Sequence, residues 1–170
     1  ALPIYPEQAD IDSDAATRDT LLLARGVDVA LVVTHEDNPS ENIWFGSVAS
    51  VAAEHGIPVV TPADPSDPAL RRAVSDARPD FIFSFYYRSM IPADLLAVAP
   101  QGAFNMHGSL LPKYRGSAPV QWSVLNGDAE TGVSIMQMDE GLDTGDVLVC
   151  EKIAIGPEET SGELLDRVTA

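Results

Sequence analysis

Ala103-Phe104-Asn105-Met106-His107-Gly108-Ser109-Leu110-Leu111-Pro112-Lys113-Tyr114-Arg115-Gly116 opens as a strand over Ala103–Met106 and then becomes a loop shaped by Gly108, Pro112 and Gly116. In an alternating strand–helix chain, ligands bind beyond the carboxyl ends of the strands. Asn105 and His107 stand at such an end. They are two residues apart, so extended backbone projects both to one side. An amide N–H can hold a developing oxyanion, and an imidazole can carry a proton. A polar pair satisfied within its own loop is the plainer alternative.

Outward from this stretch, apolar runs alternate with helical patterns. Residues 1–12, with Pro3 and Pro6 and no clean alternation, read as irregular. Ser13 or Asp14 caps a helix that runs to Arg25 and ends at Gly26. Val27–Thr34 is a continuous β-rich run, expected to be a strand buried on both faces. A helix over Gly46–His55, a strand over Ile57–Val60 and a helix over Pro68–Ala77 follow. Beyond them come a strand at Phe81–Phe85, a helix at Pro92–Val98, the Ala103–Met106 strand and a helix at Pro119–Asn126. Strands are expected at Gly132–Met138 and Val147–Ile155, and a capping box at Thr160–Glu163 opens a last helix. The alternation predicts one α/β domain over residues 1–170 with a mostly parallel sheet.

Composition narrows the function. The net charge of −16, from 10 basic against 26 acidic residues, is the wrong sign for a broad phosphate-binding surface, so nucleic acid is not an expected partner. Lys113-Tyr114-Arg115 is the basic patch nearest the chemistry. No apolar run is long enough for a membrane span. A lone Cys150 cannot form an internal disulfide; it fits a reducing, cytoplasmic compartment and is expected to be buried in a strand. The sequence leaves the oligomeric state open.

A second segment, Gly132-Val133-Ser134-Ile135-Met136-Gln137-Met138-Asp139-Glu140-Gly141-Leu142-Asp143-Thr144-Gly145-Asp146-Val147-Leu148, runs from a strand into an acidic, glycine-punctuated loop. Asp139, Glu140 and Asp143 could suggest a hard cation, but the alternating spacing of a calcium loop is missing, and no metal is expected. Asp143 is better motivated as a carboxylate partner that fixes the charge and tautomer of an imidazole. His35, in a polar loop, and His55, at a helix end, read as structural. Met136 and Met138 read as core, and Tyr86-Tyr87-Arg88 as a loop that could line a pocket. A Gly-x-Gly-x-x-Gly turn, a Walker loop and a nucleophile elbow are all missing.

Asn105-Met-His107-Gly-Ser-Leu-Leu-Pro-x-x-x-Gly116 and Gly132-x-Ser-Ile-x-Gln-Met-x-Glu-x-Leu-Asp143-x-Gly145-x-x-Leu148 resemble the two signature segments of the 10-formyltetrahydrofolate-dependent formyltransferases. The likeness extends from about Leu21 to the end of the chain. It implies a Rossmann-like formyltransferase fold with helices on both faces of the sheet. It also implies 10-formyltetrahydrofolate as donor and a primary amine as acceptor. Asn105, His107 and Asp143 match the family's catalytic asparagine, histidine and aspartate. In that reading Asn105 and a protonated His107 together hold the oxyanion, and Asp143 assists the imidazole. Ser89, Met90 and Ile91, Ser117, and the loop of Asp139, Glu140, Gly141, Leu142 and Asp143 match the folate-binding positions, although Ser117 stands where the sugar branch carries an arginine.

Thr34–Pro39, Trp44–Ala49 and Phe83–Arg88 look like the branch acting on UDP-4-amino-4-deoxy-L-arabinose, which serves lipid A modification. Arg115–Trp122 and Met136–Gly145 look more like methionyl-tRNA formyltransferase. The acidic charge favours the small nucleotide-linked amino sugar. A non-catalytic folate-binding module is a third alternative. It is motivated by residues 1–13, which do not resemble the family's opening central strand, so the sheet is expected to lack that strand. The family's C-terminal domain is expected beyond this chain.

Overall fold

A parallel pair of two-residue strands forms a small sheet of its own among the described residues. β1 (Val32–Val33) pairs with β2 (Val59–Val60), Val32 opposite Val59. The computed structural model describes residues 22–36 and 47–169. Between these strands lies α1 (Val48–Glu54), capped by the Ser47 hydroxyl, which accepts from the Ser50 amide at 3.1 Å. The expected helix ending near Arg25 is seen as helical residues 22–24 and a turn at Gly26, whose φ is 74°; its start lies outside the described residues.

α2 (Pro68–Ala77) starts where the sequence puts it. The Asp67 carboxylate accepts from the Ala69 amide at 2.8 Å, and proline occupies the first turn, where no N–H is needed. Then come β3 (Ile82–Phe85), α3 (Ala93–Leu96), β4 (Ala103–His107), α4 (Pro119–Leu125), β5 (Glu130–Gln137), β6 (Val147–Ala154) and α5 (Ser161–Thr169). The capping box closes at α5: the Thr160 amide donates to Glu163 Oε2 at 2.9 Å, and the Glu163 amide donates back to Thr160 Oγ1 at 3.3 Å.

β3 to β6 form a second sheet in the order β3-β4-β5-β6. β3 and β4 are parallel, with Ser84 opposite Asn105; β5 and β6 continue antiparallel, with Ser134 opposite His107. The extra residue Leu148 forms a bulge between the Ile135–Val149 and Met136–Val147 pairs. Among the described residues the two sheets share no ladder.

Helices cover both sides. Leu70, Val74 and Leu95 from α2 and α3 gather Val33, Val60 and Ile82 into one core, while Val120, Leu164 and Val168 from α4 and α5 pack on Val133 and Ile153. Leu164 is fully buried. Full burial of such a side chain is worth about 1.5–3 kcal/mol. This is the α/β fold that the strand–helix alternation predicts, and the Rossmann-like arrangement that the resemblance implies.

Two local expectations are corrected. The Val27–Thr34 run is not a full strand buried on both faces. Among the described residues only Val32–Val33 of this run pairs, and Val27 is exposed, because apolar composition makes a strand only where a neighbour supplies hydrogen bonds. Cys150 is exposed, not buried, because β6 is the sheet's outer strand and nearly all its side chains stand open. Among the described residues no helix is long and apolar enough to cross a membrane.

Candidate functional site

The pleat of β4 sends Asn105 and His107 to one face of the sheet and Phe104 and Met106 to the other. Ser84 of β3 and Ser134 and Met136 of β5 share the Asn105/His107 face by register. Asn105 lies in the middle of β4 and His107 is its last residue, so the pair runs from the sheet face to the strand's carboxyl end. His107 is buried at 6% exposure.

The loop after β5 folds back over this face. Gly145 allows the return, since a β-carbon there would lie 1.9 Å from the Gln137 carbonyl oxygen. Asp139 braces the turn by accepting from the Gly141 amide at 2.9 Å and from the Thr144 hydroxyl at 2.8 Å. Asp143, at φ 50°, comes down between the two signature residues. Its Oδ1 accepts from Asn105 Nδ2 at 3.3 Å, and its Oδ2 lies 3.4 Å from His107 Nδ1 and accepts from the Gly116 amide at 2.8 Å. The side chains of His107 and Asp143 are only 7% and 13% exposed. Asn105, His107 and Asp143 are therefore brought into one cluster.

His107 Nε2 faces the Tyr114 carbonyl at 2.8 Å. Both ring nitrogens thus face protein oxygens, Nε2 at hydrogen-bond distance from the Tyr114 carbonyl and Nδ1 at 3.4 Å from the Asp143 carboxylate. The Asn105 amide gives one N–H to Asp143 and carries a second.

The loop that carries Tyr114 and Gly116 is clamped at its base. The fully buried Ser134 hydroxyl donates to the Ser109 carbonyl at 2.7 Å and accepts from the Leu111 amide at 3.1 Å, and Ser109 Oγ bonds the Lys113 carbonyl. Sequence reasoning passed over Ser134 and Tyr114. The small polar residue inside the apolar β5 run was the available signal for Ser134.

The residues matched to folate binding are more scattered. Ser89 and Met90 are exposed, Met90 at 55%, whereas Ile91 packs on the Leu70/Val74/Leu95 core. Ser117 and Glu140 are exposed, and Leu142 is 56% exposed above Gly116. Met90 and Leu142 carry apolar side chains that stand open. Among the described residues no group of three or more His, Cys, Asp or Glu could hold a metal ion.

The loops after β1 and β3 meet as well. His35 stacks on Tyr87 with ring centroids 4.7 Å apart, and the Arg88 amide donates to His35 Nε2 at 3.1 Å. Burial pushes the Tyr87 phenol above its usual range.

Comparison with known proteins agrees with this geometry. The sequence model of the Formyl transferase family matches residues 13–170, and the chain belongs to that family. Phosphoribosylglycinamide formyltransferase from Bacillus halodurans superposes with a TM-score of 0.77 at 24% identity, covering 91% of this chain and 83% of that one. Glycinamide ribonucleotide transformylase 1 from Geobacillus kaustophilus gives 0.75 at 27% identity, covering 92% and 86%. WlaRD, a sugar 3N-formyl transferase solved in the presence of dTDP and 5-N-formyl-THF, gives 0.70 at 21% identity, covering 92% and 54%. The domain is an enzyme domain of the folate-dependent formyltransferase class.

Proposed function

We propose that this domain moves a formyl group from 10-formyltetrahydrofolate to the primary amine of a nucleotide-linked amino sugar, UDP-4-amino-4-deoxy-L-arabinose, in the cytoplasm. The observation that carries the reading is the cluster of Asn105, His107 and Asp143 on one sheet face. The donor supplies an activated formyl carbon, and the acceptor's neutral amine attacks it. The Asn105 amide would hold the oxygen as it gains charge. His107, with Asp143 beside it, would take the proton that the attacking amine loses and pass it to the folate nitrogen as its bond to the formyl carbon breaks and tetrahydrofolate leaves. Ser89, Met90, Ile91, Ser117 and the Asp139–Asp143 loop would line the donor's seat.

Two features support the sugar acceptor over tRNA. The net charge of −16 opposes binding to a polyanion. The paired loops at His35 and Tyr87–Arg88 stand at the carboxyl ends of parallel strands, where a small ligand would reach them.

The test is a side-by-side assay of the UDP-amino sugar and methionyl-tRNA with 10-formyltetrahydrofolate. Formylation of the sugar supports the reading. Formylation of tRNA alone moves the acceptor to the methionyl-tRNA branch. Binding of a folate analogue with no turnover on any amine would make the domain a non-catalytic folate-binding module.

A further inference from the structure

The contact between His107 and Tyr114 is made by the backbone of Tyr114, and its side chain reaches away to a separate anchor. The Tyr114 hydroxyl donates to Asp128 Oδ2 at 2.8 Å and accepts from Asn126 Nδ2 at 3.0 Å, both at the carboxyl end of α4. Lys113 Nζ lies 3.6 Å from the same Asp128 oxygen. Tyr114 holds φ 53°, a left-handed backbone that a bulky residue adopts only when its surroundings force it. That conformation turns its carbonyl oxygen to 2.8 Å from His107 Nε2.

From this arrangement we infer that Tyr114 is a positioning residue of the formyl-transfer site. Its phenol is tied to Asp128 and Asn126, so that its carbonyl fixes the His107 ring and keeps Nδ1 on Asp143. The bond made by one imidazole nitrogen sets what the other presents. Without the tether the strained backbone relaxes, the carbonyl withdraws and the ring can turn away from Asp143. Asp143 is the charged group against the ring; Lys113 and Asp128 lie at the far end of the tether. The inference rests on the functional reading above for its effect on rate, but the ring contact itself can be measured without turnover.

The experiment uses the chain labelled with ¹⁵N-histidine. It has 3 histidines, so His107→Ala assigns the His107 ring signals by their loss. Ring resonances, kcat and KM are compared for wild type, Tyr114→Phe, Asp128→Ala and Asp128→Asn. Displacing a reacting group by about 1 Å can cost on the order of a hundredfold, so kcat is expected to fall about tenfold to a hundredfold in Tyr114→Phe. KM for the donor should stay within about twofold. The His107 ring signals should move with kcat, Asp128→Asn should recover much of both, and the Tyr114→Phe/Asp128→Ala double variant should be no worse than the worse single. Folded Tyr114→Phe with unchanged ring signals and unchanged kcat overturns the inference, as do effects that multiply in the double variant. If Tyr114→Phe does not fold, Asp128→Ala and Asn126→Ala give the same readout. If wild type transfers formyl to no amine, the functional reading fails, and the ring signals alone decide whether the tether exists.

Discussion

Asp143 Oδ2 stands 3.4 Å from His107 Nδ1, although a shaped loop, α4 and all of β5 lie between them in the chain. The same oxygen accepts the Gly116 amide at 2.8 Å, so one carboxylate ties the turn after β4 to the loop after β5. The first loop supplies the amide and the second the carboxylate.

Replacing Asn105 with alanine removes the amide N–H aimed into the site. Loss of a single oxyanion donor costs about 2.7–4 kcal/mol of barrier. Asn105→Ala should therefore lower kcat for formyl transfer by about a hundredfold to a thousandfold, with a smaller change in the dissociation constant of a folate analogue. Steady-state kinetics beside calorimetric binding checks this.

Asp143 can be changed in two separable ways. Asparagine tolerates the left-handed backbone at φ 50° and keeps an oxygen for the Gly116 amide, so Asp143→Asn should fold normally and lose turnover. Asp143→Ala also strands that amide, at a cost of about 1–3 kcal/mol. Urea unfolding of the two variants should therefore differ, while both are slow in the assay.

Gly145→Ala should damage the site without touching it. A β-carbon at Gly145 would lie 1.9 Å from the Gln137 carbonyl oxygen, which is backbone and cannot step aside. Overpacking of this kind costs about 1–3 kcal/mol. A lower denaturation midpoint together with reduced turnover is the expected result.

Acid should loosen the α5 end of the molecule. Glu159 is held below its usual range by the Gly156 amide and then by Arg167, and Glu163 by the amide and hydroxyl of Thr160. Carboxylates depressed in the folded state add stability above their unfolded pKa, and that stability is lost as pH falls through the lower folded values. Wild type should therefore melt higher than Glu163→Gln at neutral pH. The gap should close as pH falls below the ordinary glutamate range and through the lowered folded value. Thermal melts of both proteins from neutral pH downward measure it.

Local patterns were legible in the sequence where the chemistry is local. The Asp67-Pro68 helix start and the Thr160–Glu163 capping box are contacts between near neighbours, and the sequence alone determined them. The same holds for the shared side of Asn105 and His107, which follows from the two-residue repeat of a strand. The extent of the strand within Val27–Thr34 was not legible, because a ladder needs a neighbour that composition cannot name. The exposure of Cys150 was not legible for the same reason: only the sheet order makes β6 an outer strand. Tertiary structure also decided that Asp143 meets both residues of the β4 pair, and that His107 gives Nε2 to Tyr114. Directional bonds between distant segments depend on how the loops close, and that closure is set by packing across the whole sheet.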